Sequence, residues 1–442
     1  ASNNTALGFA ALAVNTTGHS NVAIGYESGY YNTTGDENTA LGYRAYSRGS
    51  ATNTATANKN TAIGTYALYS NQTGPSNVAV GHSAMQENTT GEDNAALGKE
   101  ALFANTTGDS NTAVGVQALR ENTTGDANVS VGAVALDANT TGSDNVAVGV
   151  HALGSNTTAT GNVAIGRDAL KANTTGTENT AIGKLTLDNN TTASRNTAVG
   201  HAALSATTAD GGNNTALGYV ALGNVTGGYN NIGVGYGTAA NITTGIENTI
   251  VGMEAGSANT GMTTANKNTI IGAKCSTSAN NVELNTVIGY NSTGAAGSDG
   301  YLTFGYNQNR TYIVMGNTNW TGTSDLRLKE NVTNHTLGLG FVNALRPVTF
   351  NWKKKKDVPT TLSDYYEDGN EDRVNGTSAL RHGFIAQEVK AVMDNNSVAS
   401  DSFNLWDTMA DGTQALADGE LIPILVKAIQ ELSAEIETLK GE

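Results

Sequence analysis

The 442 residues would fill several ordinary domains, but 53 glycines and only 6% aromatics are the material of a disordered chain unless the residues are ordered into repeats. A net charge of −15 argues against a nucleic-acid partner, and no apolar run approaches the ~20 residues a membrane span needs, so no membrane insertion is expected. The single cysteine, Cys275, excludes a disulfide framework and reads as a small buried hydrophobe.

From the first residues the chain is repetitive. The phrase Asn-x-Ala-(Leu/Ile/Val)-Gly recurs seventeen times, closing on glycines from Gly8 to Gly289. Thirteen of the sixteen spacings are 17 residues, and the exceptions of 22, 18 and 20 lengthen the polar part of the unit, as loop insertions do. Because Ala1 to Gly8 already read as repeat, any anchor or export signal is expected upstream of them.

One unit, Asn94 to Ser110, serves for all. Asn94-Ala95-Ala96-Leu97-Gly98 alternates as a short strand, with Ala95 and Leu97 on one face and Ala96 on the other. Ala101-Leu102 is a second apolar patch, and Asn105-Thr106-Thr107-Gly108-Asp109 is turn chemistry. So short a unit cannot bury its own apolar face, and stacking supplies the burial. Seventeen coils at about 4.8 Å each predict a stack on the order of 80 Å long. Its thin core and small central alanines point to association of identical chains along the axis.

The phrases Asn21-Val-Ala-Ile-Gly25 and Asn162-Val-Ala-Ile-Gly166 resemble the head repeats of trimeric autotransporter adhesins. The resemblance covers residues 1 to about 290 and implies a left-handed parallel β-roll in a homotrimer. The extra Asn-Thr-Thr-Gly segment here departs from the shorter adhesin unit. Beyond Gly289, Tyr301-Leu-Thr-Phe-Gly305 is read as an imperfect last coil and Thr311–Gly316 as a closing strand.

Composition changes near Trp320–Ser324. Residues 1–323 hold 12 Lys+Arg and 20 Asp+Glu, whereas the much shorter 324–442 holds 12 and 19, with Pro347, Pro359 and Pro423. The expected organisation is a repeat β-solenoid over 1–300, closing strands and a neck over 301–323, and an α+β module over 324–442 whose coiled coil spans about 421–440.

Four stretches of that module carry a second resemblance. Ser324-Asp-Leu-Arg-Leu-Lys-Glu-Asn331, Leu345-Arg-Pro-Val-Thr-Phe-Asn-Trp352, Gly383-Phe-Ile-Ala-Gln-Glu-Val389 and a C-terminal helix follow in order. Together they resemble the intramolecular chaperone of phage endosialidase tailspikes, also found in tail fibres and in myelin regulatory factor. The resemblance implies a dyad of Ser324 and Lys329 that cuts the chain once. It also marks Asp325, Arg327, Asn331, Gly383, Phe384, Gln387 and Glu388 as motif residues. Serine is a weak nucleophile that needs a base, and lysine serves when its neutral form is favoured. Enzyme activity is thus at most one self-cleaving turnover, with no cofactor and no metal expected.

In the last helix Ile422, Leu425, Ile429, Leu432, Ile436 and Leu439 are spaced 3-4-3-4-3, a heptad seam, with Pro423 in the first turn where its missing N–H is harmless. Ile and Leu in alternate core positions lean towards two strands, whereas the resemblance implies three. A repetitive rod specifies register weakly, so a non-repetitive C-terminal trimer that fixes the ends first has a clear use.

Other candidates read as structural. The Asn-Thr-Thr sequons recur with the repeat and read as turns with stacked Asn and Thr ladders rather than glycosylation sites. Asp36, Asp109 and Asp126 vary with Ser, Thr and Glu and lack a calcium-binding pattern, and the Thr ladders resemble ice-binding solenoids only loosely. His19, His82, His151 and His201 read as solvated, His382 as packing, and Lys353 to Lys356 as a solvated run. No paired carboxylates mark a glycosidase. The sequence therefore points to a tail fibre or tailspike segment of a virion, trimeric, with a host-surface glycan or protein receptor. The alternative is a bacterial cell-surface adhesin or filament, against which the soluble C-terminal helix weighs.

Overall fold

The chain forms two compact units, Ala1–Thr323 and Ser324–Glu442. The computed structural model describes residues 2–47, 55–257, 262–294, 299–307, 309–314, 321–322, 332–360, 379–398, 405–408 and 413–441.

In the first unit each copy of the phrase is a short strand, from β1 (Thr5–Leu7) and β2 (Val22–Ile24) to β17 (Thr286–Tyr290). Each strand pairs in parallel with the equivalent strand of the next coil, so that Ala6 faces Ala23 and Ala96 faces Ala113. The parallel stack extends one coil further: β18 (Tyr301–Tyr306) pairs with β17 and sets Gly305 against Gly289. β19 (Asn309–Val314) then returns antiparallel to β18, and β20 (Thr321–Gly322) pairs antiparallel with β19. The fold is a mainly β solenoid of 17-residue coils.

The strand centre points inwards. Ala96 is 1% exposed, while Leu97 on the other face is 53% exposed. Ala101 and Leu102 are fully buried, and their equivalents build an Ala column and a Leu column along the stack. Each such leucine contributes roughly 1.5–3 kcal/mol. In one coil the columns trade volume: the central residue grows to Ile250 and the leucine position shrinks to Gly256, whose Cβ would lie 3.1 Å from Ile250 Cδ1. The serine that replaces a central alanine, Ser130, donates its hydroxyl to the Ala135 carbonyl at 2.7 Å.

Three residues per coil take left-handed backbone angles, and few are glycine. In the unit above they are Glu100 (φ 56), Leu102 (φ 53) and Ser110 (φ 58). Such angles cost an L-residue roughly 1–2 kcal/mol. What offsets the cost is hydrogen bonding between coils: Glu100 N–H donates to the His82 carbonyl, Leu102 N–H to Ala118 and Ser110 N–H to Glu92, all within 3.0 Å. Even the turns thus place their amides in the ladder. The closing glycine has a second constraint. Gly115 sits at φ 137, and a Cβ there would lie 2.5 Å from the Gly132 carbonyl oxygen, so the backbones of successive coils touch at this column.

Two buried asparagine ladders fasten the turns. At the start of the phrase, Asn94 Oδ1 accepts the Asn111 N–H at 2.9 Å and its Nδ2 donates to the Gly108 carbonyl at 2.8 Å. In the Asn-Thr-Thr turn, Asn105 Nδ2 donates to Asn88 Oδ1 at 2.7 Å and to the Gly108 carbonyl at 2.9 Å. This second ladder continues to Asn190, which donates to Asn173, and then stops at Thr207. The same column is apolar beyond it, at Val225 and Ile242. At the switch, Asn190 Oδ1 and Thr207 Oγ1 are buried with no hydrogen-bond partner among the described residues. Thr207→Asn restores the donor that the six coils from Asn105 to Asn190 each provide. It should raise the stability of the solenoid by about 1 kcal/mol, read as a higher midpoint in thermal unfolding; an unchanged or lower midpoint counts against this account of the ladder.

The second unit is α+β. α1 (Leu339–Ala344) leads to β21 (Val348–Phe350), which pairs antiparallel with β22 (Arg381–Gly383). α2 (Ala386–Asn395) follows, then a small hairpin of β23 (Trp406–Thr408) and β24 (Gln414–Leu416), and the long α3 (Leu421–Gly441). Its core gathers Phe341, Val389, Met393, Leu405, Leu421 and Ile424.

Candidate functional site

The residues marked by the two resemblances separate into those the structure describes and those it does not. Ser324, Asp325, Arg327, Lys329 and Asn331 lie outside the described residues. The second and third motifs are described, and they meet. Arg346, just before Pro347, forms a two-pronged ion pair with Glu388 on α2: Nε donates to Oε2 at 2.9 Å and Nη2 to Oε1. This hydrogen bonding holds Glu388 below the usual carboxylate range and raises Arg346. Gly383 ends β22, and the half-buried Phe384 that follows it packs against the core of the unit. Gln387 is exposed on the first turn of α2. Sequence reading gave these positions but not the pairing of Arg346 with Glu388 across 42 residues.

α3 has two distinct apolar faces. Leu421, Ile424 and Ala428 are buried against the body of the unit. Glu431 extends that face: its Oε2 accepts the Leu339 N–H at 2.7 Å at the start of α1, and Lys427 pairs with it at 3.4 Å. The backbone hydrogen bond lowers the Glu431 pKa and anchors α3 to α1. No sequence pattern announced this contact, because α1 has no capping side chain of its own. The heptad seam is the other face. Ile422, Leu425, Ile429, Leu432, Ile436 and Leu439 are all between 42% and 71% exposed in the single chain.

The solenoid also shows an outward apolar column. The first and third residues of its strands point away from the core, and Leu41, Leu97 and Leu217 among them are exposed. Next to that column the residue after the glycine is often aromatic. Phe9, Tyr26 and Tyr43 stack at 5.2 and 5.3 Å, and His201, Tyr219 and Tyr236 at 5.3 and 5.2 Å.

The turn face is committed to structure. Asp36, Asp109 and Asp126 each accept a backbone N–H from the preceding coil: from His19 and Glu92 at 2.8 Å in the first two cases, and from Asp109 itself at 2.8 Å in the third. Among the described residues no group of three or more His, Cys, Asp or Glu is placed to hold a metal. The sequon asparagines Asn105, Asn122 and Asn139 are fully buried in their ladder. The first threonine of most pairs donates to the next coil, as Thr106 does to the Thr123 carbonyl at 2.9 Å. No helix among the described residues is long and apolar enough to cross a membrane.

A stacked-coil solenoid followed by a small α+β module with an exposed heptad seam defines a repeat protein joined to a non-repetitive C-terminal domain. Residues 324–397 match the family model described as the chaperone of endosialidase, so the second unit carries a domain of that family. No curated protein matches the chain.

Proposed function

We propose that the chain is a structural segment of a homotrimeric phage tail fibre or tailspike, exposed on the virion and contacting a glycan or protein receptor on the host surface. The second unit nucleates the trimer, sets the three solenoids in register and then cuts the chain once at Ser324. The observation that carries this reading is the division of α3 between two faces. One face is consumed by the protomer's own body; the other is a heptad seam left exposed beside a chaperone-of-endosialidase domain. An exposed seam of six large aliphatic residues is stabilised by burial against identical helices. The outward apolar column of the solenoid gives the coils a face for the same association. The chaperone function follows from the repeat: a shift of one coil between neighbours preserves most contacts, so register needs a non-repetitive end to define it. Light scattering on the purified chain should give about three times its 45.3 kDa mass. A stable monomer at micromolar concentration would overturn the proposal.

A further inference from the structure

The heptad fixes which flank of α3 lies where. With Ile422, Ile429 and Ile436 at a and Leu425, Leu432 and Leu439 at d, the docked residues Leu421 and Ala428 fall at g. Val426 falls at e, on the opposite flank, and is 49% exposed. The later e positions are Ser433 and Lys440, so the e flank is apolar only in the heptad level with the body of the unit. Beside the seam, on the g and d side, opens a groove of about 710 Å³. Leu421 and Leu425 of α3 form one wall, Val342, Leu345, Val348 and Phe384 supply most of the apolar lining, and Thr349, His382 and Asp418 add polar groups. The groove therefore shares Leu425 with the seam and is continuous with it. In a parallel coiled coil the g flank of one helix faces the e flank of its neighbour. A neighbouring α3 in register would bring its Val426 to the side of this helix on which the groove opens.

We propose that the groove is a socket for Val426 of a second copy of this chain, so that each protomer grips its neighbour's helix with its own body. The proposal rests on the seam-driven assembly argued above. It explains why an exposed apolar e residue and a mainly apolar groove, neither of them covered by any of the described residues, occur at the same level of the helix. It also gives Phe384 a role: the motif residue forms part of the socket. Because the groove lies on one flank only, the contact is directional and closes as a ring around the axis.

Two measurements on the full chain test it. Val426→Asp alters a residue exposed in the protomer, so the unit should fold, but a carboxylate would enter a mainly apolar socket lined in part by another carboxylate, Asp418. Its assembly, followed by light scattering on dilution, should weaken at least 10-fold relative to Ser433→Asp, the same change one heptad later. Equal behaviour of the two variants would overturn the socket. In the second measurement Val426→Cys is combined with Val342→Cys, Leu345→Cys or Val348→Cys and mildly oxidised. At least one pair should yield covalent trimers on a non-reducing denaturing gel, while each single variant runs as monomer. Trimers by light scattering with no cross-link from any pair would overturn the socket and leave the seam standing. Monomers in the unmodified chain would remove both.

Discussion

Leu432→Asp together with Ile436→Asp should abolish assembly and leave the chain in aggregates. In the protomer these side chains are 45% and 42% exposed, so charge there costs the isolated fold little. Once helices associate, both positions are buried at the seam, and each unpaired carboxylate faces a desolvation penalty of several kcal/mol. Two carboxylates on every helix exceed what three short heptads can offset. Without the nucleus the solenoids lose their common register and expose their outward apolar columns during slow, long-range parallel pairing. The readouts are the soluble fraction on expression and the mass of what remains. Soluble, fully assembled material from this double variant would show that the second unit does not act as a chaperone.

Ser324→Ala and Lys329→Ala should each block a single cut that the unmodified chain makes only after assembly. The expectation comes from the family of the second unit, in which a serine is activated by a lysine five residues on. Its chemistry requires Lys329 to be neutral near Ser324, a state favoured by burial. Unassembled chains should therefore stay whole. Mass spectrometry of the assembled protein should find fragments of residues 1–324 and 325–442, and one intact chain in either variant. Neither substitution touches the seam or the coils, so both variants should remain trimeric. Cleavage by Lys329→Ala at the unmodified rate would remove lysine as the base. A chain that never cuts itself in any folded state would make the module a permanent assembly device.

The period of the solenoid was legible because its glycine cannot be replaced: Gly115 needs both its backbone angle and its closeness to Gly132. The alternation of Ala95, Ala96 and Leu97 gave the strand and its two faces, but not which face is inside. Apolar residues occupy both, and the smaller one, Ala96, is the buried one because neighbouring walls of a 17-residue coil approach closely. The asparagine ladder of the Asn-Thr-Thr turns could be read from the repeat. The left-handed leucines could not, since Leu102 at φ 53 contradicts its own preference and is held by the amide ladder. In the second unit the seam was legible from spacing alone. The pairing of Arg346 with Glu388 and the anchoring of α1 by Glu431 join residues far apart in sequence, and single-sequence patterns carry no such distances.

The identity of successive coils has a genetic consequence. Asn94, Asn111 and Asn128 make the same bonds to the same atoms one coil apart, and Gly98, Gly115 and Gly132 meet the same neighbour. Between Asn88 and Asn190 a tandem duplication or loss of one whole coil would rejoin both asparagine ladders, whereas a gain of a few residues must be accommodated in a turn, as the 18-residue coil around Gly211 and Gly212 does. Length is therefore a trait that unequal recombination can tune in steps of about 4.8 Å, while residues 324–442, proposed above to bring the copies together, follow the repeats in sequence and are left unaltered.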